Sequence, residues 1–135
     1  MMSSANDADG LRPATRAIAA GREQSGRALA PALWASSVWQ SADLTDARRR
    51  ATGVRSGEFY GRYANPTVTS FEEAVAALEG AESALAFASG MGAISTVVLA
   101  LCGAGDHIVA QRQLYSATLA FLQGPCASFG IEVTF

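Results

Sequence analysis

Hydrophobic and polar positions change rhythm along this chain. Residues 26–40 mix small residues with Leu29, Leu33, Trp34, Val38 and Trp39. No helical period holds there, so the segment reads as an extended arm whose tryptophans need a surface to pack on. From Pro66 the pattern becomes regular. Phe71, Val75 and Leu78 recur at helical spacing, with Glu72, Glu73 and Glu79 expected outside. Thr67 or Ser70 can cap that helix and Gly80 ends it. The spacing then predicts a strand over 83–88, a helix over 91–102, a turn at Gly103-Ala104-Gly105 and a strand over 107–111. A helix over 116–129, stopped by Gly130, and a strand over 131–135 follow. Strands and helices alternating across short turns imply an α/β fold, with a mostly parallel sheet covered by helices.

The first half is less regular. Residues 1–9 are polar and read as disordered. Pro13 suits the start of a short helix ending at Gly21. Asp43 or Thr45 can cap a helix over 46–51. Arg48-Arg49-Arg50 reads as its solvated face, with anion binding as the alternative. Gly57, Gly61 and Asn65-Pro66 mark residues 53–66 as loop. Three parallel strands with unpaired edges make a poor stand-alone domain, and the last runs to residue 135, so the pattern suggests the front of a longer protein.

Composition narrows the class. A chain of 135 residues, half hydrophobic and 16% charged, holds one ordinary globular domain at most. The net charge of −2 leaves no broad basic surface for nucleic acid. Cys102 and Cys126 are too few for a disulfide framework, and neither lies in a CxxC pair. A reduced, cytoplasmic chain without a zinc site is expected. The N-terminus lacks the basic and apolar regions of a signal peptide. Residues 83–105 carry no charge and could span a bilayer by length. Ser89-Gly90 and Gly92 interrupt the stretch, which reads instead as a buried strand and a buried helix, so no membrane is expected.

Two blocks carry candidate chemistry. Ser89-Gly90-Met91-Gly92 lies between a predicted strand and the next helix. A helix N-terminus offers free N–H groups and a positive dipole end, and glycine lets a phosphate approach the backbone. The plain alternative is a glycine-rich turn without a ligand. A second rival is a nucleotide (NADP)-binding, Rossmann-like reading of Gly90-x-Gly92. There the third glycine is replaced by Ser95, and the expected ribose-binding acid by Gln111-Arg112. The other block is Tyr60-Gly61-Arg62-Tyr63-Ala64-Asn65-Pro66-Thr67. A guanidinium two residues from a phenol can clamp a phosphate, or it can be a surface arginine beside a packing tyrosine. Tyr115 lies just past a strand's C-terminal end, where open α/β sheets bind ligands; the alternative is a core-edge aromatic. His107 reads as a strand start, Cys102 and Cys126 as packing.

In order, these blocks resemble the cysteine/methionine-metabolism family of pyridoxal-phosphate (PLP) enzymes, which includes cystathionine γ-synthase and γ-lyase, methionine γ-lyase and the homoserine sulfhydrylases. Thr15-Arg16-Ala17-Ile18-Ala19-Ala20-Gly21 is similar to the family's opening helix. Pro31 with Ser36-Ser37-Val38-Trp39 looks like its arm. Tyr60-x-Arg62-x-x-Asn65-Pro66-Thr67 is the most specific early motif. Leu78-Glu79-Gly80, Ser89-Gly90-Met91, Gly105-Asp106 and Leu114-Tyr115 follow in the right order.

The resemblance implies a truncated fold-type-I PLP-transferase large domain. Residues 10–65 would be the arm and cofactor loop, and residues 66–135 the start of the PLP-binding α/β domain. It implies that Gly90 and Met91 give N–H groups to the PLP phosphate, with Ser89 leading into the turn. Tyr60 and Arg62 would reach the phosphate of a neighbouring subunit in a full-length homodimer or homotetramer. Tyr115 would stack on the pyridine ring and move protons, the one catalytic residue in reach. The implied chemistry is C–S elimination or γ-replacement on methionine, cystathionine or an activated homoserine. The family's Schiff-base lysine lies later, and all ten basic residues here are arginine. Ala120 stands where several members carry arginine and Ala117 where methionine γ-lyases carry cysteine, yet residues 118–122 look closer to the latter group.

Overall fold

The computed structural model describes residues 10–22, 26, 28–53 and 58–135, in two compact units divided between Ala86 and Phe87. The expected disorder of residues 1–9, and Gly57 in the expected loop, lie outside the described residues.

In the first unit, helix α1 (Pro13–Ala19) starts on Pro13 and lies against α3 (Pro66–Glu79). Gly21 follows with φ 70°, and a Cβ there would collide with the Ser70 carbonyl. Only glycine allows that approach. Helix α2 (Leu44–Thr52) is capped by Asp43, whose carboxylate accepts the Asp46 N–H at 2.8 Å. Asp46 in turn accepts from Arg49 and Arg50, and Arg50 donates to the Glu58 carbonyl at 2.8 Å. Two of the three consecutive arginines therefore close this corner of the chain, while Arg48 stays exposed. Those two guanidiniums, and the Ala42 N–H, hold the Asp46 carboxyl well below the usual carboxylate range.

Helix α3 departs from the sequence pattern in two ways. Its cap is Asn65, whose Oδ1 accepts the Thr67 N–H at 2.9 Å, with Pro66 at the first helical position. Thr67 and Ser70 were the expected caps, but Thr67 is occupied by the arm and Ser70 is buried. The faces also differ in part: Glu73 and Glu79 are exposed as expected, but Glu72 is not. Pro66, Ser70, Glu72 and Ala76 are buried, while Phe71 is 61% exposed. The small side chains of that face permit close approach, and the Glu72 carboxylate accepts the Ala86 N–H at 2.8 Å. A paired carboxylate can sit inside.

The expected strand over 83–88 is not a strand. A strand needs a ladder, and among the described residues this segment has none.

In the second unit, α4 (Gly90–Leu101) and α5 (Ser116–Phe121) pack beside a parallel pair, β1 (His107–Val109) and β2 (Glu132–Thr134). Ile108 faces Val133 in the register. This is the α/β arrangement with a parallel sheet that alternation predicts. The helix expected over 116–129 is interrupted by a π-helical turn, Leu122–Cys126, which contains Pro125. Proline lacks the N–H for the normal bond and crowds the carbonyl four residues back; the wider turn absorbs both. Leu122, Cys126 and Ile131 form the buried core, with Val98, Cys102, Ile108 and Phe121 against it. That burial, and secondarily Cys102, pushes the Cys126 thiol up. Gly130, at φ 74°, turns the chain into β2 where a Cβ would press on Ala104. No helix among the described residues is long and apolar enough to cross a membrane.

Candidate functional site

Two groups of candidate residues occur, one in each unit. In the first, the arm is laid along the loop. Val38 and Tyr60 form an antiparallel bridge, the Gly61 N–H donates to the Ser37 carbonyl at 2.8 Å, and the Trp39 N–H donates to the Phe59 carbonyl at 3.2 Å. The Asn-Pro-Thr triplet fastens the arm further back. Asn65 Nδ2 donates to the Trp34 carbonyl at 2.9 Å. The Thr67 hydroxyl accepts the Trp34 N–H at 2.9 Å and donates to the Ala32 carbonyl at 3.0 Å. Asn65 and Thr67 thus hold the arm that holds the loop, a role that composition and spacing do not reveal.

The loop presents Arg62 among rings. Its guanidinium carbon lies 5.2 Å from the Tyr60 centroid and 5.5 Å from that of Tyr63. Both distances are within cation–π range. Among the described residues Arg62 makes no hydrogen bond or ion pair, so its N–H edge is free. A planar guanidinium with free donors, steadied by neighbouring rings, is suited to a bidentate oxyanion.

In the second unit, Ser89 caps α4. Its hydroxyl accepts the Gly92 N–H at 3.0 Å, and its carbonyl accepts the Ala93 N–H at 3.1 Å. The N–H groups of Gly90 and Met91 have no partner among the described residues. A Cβ on Gly90 would meet nothing within 4 Å, so the space beside the turn is open. Two free donors at the positive end of a helix dipole fit an anion. Met91 is tied to α5: the Thr118 hydroxyl, buried, donates to its Sδ at 3.3 Å. Tyr115 stands at the start of α5, 70% exposed, with no side-chain cap bond. Sequence reasoning missed Thr118, because a threonine inside a helical run carries no signal without its partner.

Comparison with known proteins decides between the rival readings of this turn. The profile of the family described as Cys/Met metabolism PLP-dependent enzyme matches residues 14–135. The chain belongs to that family. It is 39% identical over 131 residues to the O-succinylhomoserine sulfhydrylase of Pseudomonas aeruginosa, covering 96% of this chain and 32% of the relative. It is 41% identical over 122 residues to the L-methionine gamma-lyase of Porphyromonas gingivalis, covering 90% of this chain and 31% of the relative. The fold superposes on the crystal structure of metB from Corynebacterium glutamicum with a TM-score of 0.80 and 29% identity, over 96% of this chain and 32% of that one. The chain spans about a third of the length of the relatives it matches. Nothing supports the dinucleotide reading of Gly90-x-Gly92. Ser95, in place of the third glycine, turns its hydroxyl back to the Met91 carbonyl at 2.7 Å.

Proposed function

We propose that the full-length protein carrying this chain is a PLP-dependent enzyme of sulfur amino-acid metabolism. Its reaction is C–S elimination or γ-replacement on methionine, cystathionine or an activated homoserine. The observation that carries the reading is the pair of unpartnered N–H groups on Gly90 and Met91, opening onto free space in a chain of this family. That cradle fits a phosphate: donors from backbone, no side chain in the way, and a dipole of the right sign.

The residues divide the work. Gly90 and Met91 would bind phosphate oxygens through their N–H groups, and the Ser89 cap keeps those two donors free by taking the next ones itself. Tyr60 and Arg62 would bind a phosphate from the other side, Arg62 through its open edge and Tyr60 through its hydroxyl. In a homodimer or homotetramer that phosphate would be the neighbouring subunit's. Tyr115 would lie against the cofactor ring and hold or pass a proton at its phenolic oxygen. When bound, PLP supplies an electron sink for charge developing at the substrate α-carbon. Residues 1–135 contain no lysine, so by themselves they would hold the phosphate without a covalent anchor and carry no such activity.

Two measurements test this. The full-length protein should be yellow as purified; a colourless protein that binds NADP contradicts the reading. Borohydride reduction of this 135-residue chain with PLP, followed by intact mass, should leave no cofactor mass on any internal side chain.

A further inference from the structure

The aromatic corner around Arg62 contains a residue that the phosphate reading does not use. Tyr60 and Tyr63 meet edge to face, with centroids 5.8 Å apart and planes at 80°. The Arg62 guanidinium carbon is 5.2 and 5.5 Å from the two centroids. The three groups form a nearly equilateral triangle, with the cation in the corner between two perpendicular rings. Tyr63 is itself held in place. Phe59 stacks on it at 6.4 Å and 10°, and its N–H donates to the Tyr60 carbonyl at 2.9 Å.

Tyr63 is nearly half exposed, at 47%, so it contributes little to a core. Its hydroxyl has no partner among the described residues. Besides Phe59 and Tyr60, the ring contacts the cation.

We propose that Tyr63 is a positioning residue for the cofactor phosphate: its ring holds the Arg62 guanidinium by a cation–π contact, so that the side chain is ordered before the oxyanion arrives. This rests on Arg62 meeting the phosphate. An arginine side chain has several rotatable bonds, and ordering them on binding weakens the complex. A ring in contact with the guanidinium removes part of that ordering in advance. The hydroxyl is dispensable in this role, whereas the electron-rich ring is required.

The test is PLP affinity of the full-length apoenzyme, measured by reconstitution, together with kcat at saturating cofactor. Tyr63→Phe should bind PLP like the parent. Phenylalanines carrying one, two and three ring fluorines at position 63 keep the shape and weaken the ring's negative face. Across that series the PLP Kd should rise stepwise, to about two- to fivefold at the end, with kcat at saturation unchanged. Tyr63→Leu should show the same loss, and none in an Arg62→Gln background. Arg62→Gln alone should raise the Kd about tenfold or more. A flat fluorine series beside a strong Arg62→Gln effect overturns the role of Tyr63 and leaves the phosphate reading standing. An Arg62→Gln variant with unchanged Kd overturns the phosphate reading beneath it, and the proposal with it.

Discussion

The loop at residues 59–63 and the turn at residues 89–92 offer donors to an anion by opposite means. The turn uses backbone: Ser89 takes the Gly92 N–H, and the Gly90 and Met91 N–H groups are left over. The loop uses side chains: one guanidinium, within cation–π distance of the Tyr60 and Tyr63 rings and with no hydrogen-bond partner among the described residues. A backbone site is fixed once the helix has formed and needs only small residues around it. A side-chain site must be held by something else, here an arm bridged at Val38 and Tyr60 and fastened through Asn65 and Thr67. The turn should therefore tolerate damage elsewhere in the chain, and the loop should not.

The largest effect expected concerns which subunit each region serves. In the full-length protein, a variant lacking Arg62, assayed at limiting PLP, and a variant lacking the Schiff-base lysine should each lose most activity. Mixed, they should regain activity, because some mixed dimers hold one site with neither lesion. A mixture that stays dead would place loop and turn on one cofactor and remove the division of labour.

Next in size is the turn itself. Gly90→Ala puts a methyl into the open space and should weaken PLP binding roughly 10- to 100-fold, the loss of one or two charged hydrogen bonds. The thermal midpoint should hold, since that Cβ meets no protein atom. A fall in midpoint with unchanged PLP affinity would make Gly90 a packing glycine.

Asn65→Ala removes both a helix cap and the bond to the Trp34 carbonyl. It should cost about 1–2 kcal/mol by denaturant titration and weaken PLP through the loop without touching the cofactor. The matching change in the turn, Ser89→Ala, should cost about 1 kcal/mol. If Asn65→Ala leaves cofactor binding unaltered, the arm does not position the loop.

The smallest effect is pH-dependent. The Asp46 carboxyl is held below its unfolded value by Arg49 and Arg50. Its contribution to stability is complete above the unfolded carboxylate value of about 3.9 and is lost as pH falls through the lower folded value. Asp46→Asn should therefore be less stable than the parent at neutral pH, and the gap should narrow in acid. A gap independent of pH would mean that the Asp46 clamp acts without its charge.

Legibility in the sequence follows the same division. The Ser89-Gly90-Met91 turn, the extent of α4, the β1–β2 parallel pair and the glycine stops are written in local spacing; the expected burial of α4 is not met, since none of its residues is buried and Leu101 is 78% exposed. The face of α3 was not legible. Phe71, Val75 and Leu78 make a periodic apolar stripe, yet the buried face is the one carrying Ser70, Glu72 and Ala76. The reason is tertiary: Gly21 closes on Ser70, and the Ala86 N–H satisfies Glu72. The 83–88 segment looked like a strand because its composition is right, but a ladder requires a partner that periodicity does not supply. The π turn is visible only as Pro125 inside a helical run. For the loop, Tyr60 and Arg62 stood out by motif, whereas Tyr63 became visible only when its ring was seen against the guanidinium.

The central claim is that the backbone at the start of α4 holds the cofactor phosphate. Titrating PLP into the ¹⁵N-labelled chain and following the amide resonances tests it most directly. The account predicts saturable downfield shifts at Gly90 and Met91, reproduced at higher concentration by inorganic phosphate and weakened by Gly90→Ala. Unmoved Gly90 and Met91 amides, with shifts at Arg112 on adding NADP instead, would contradict it.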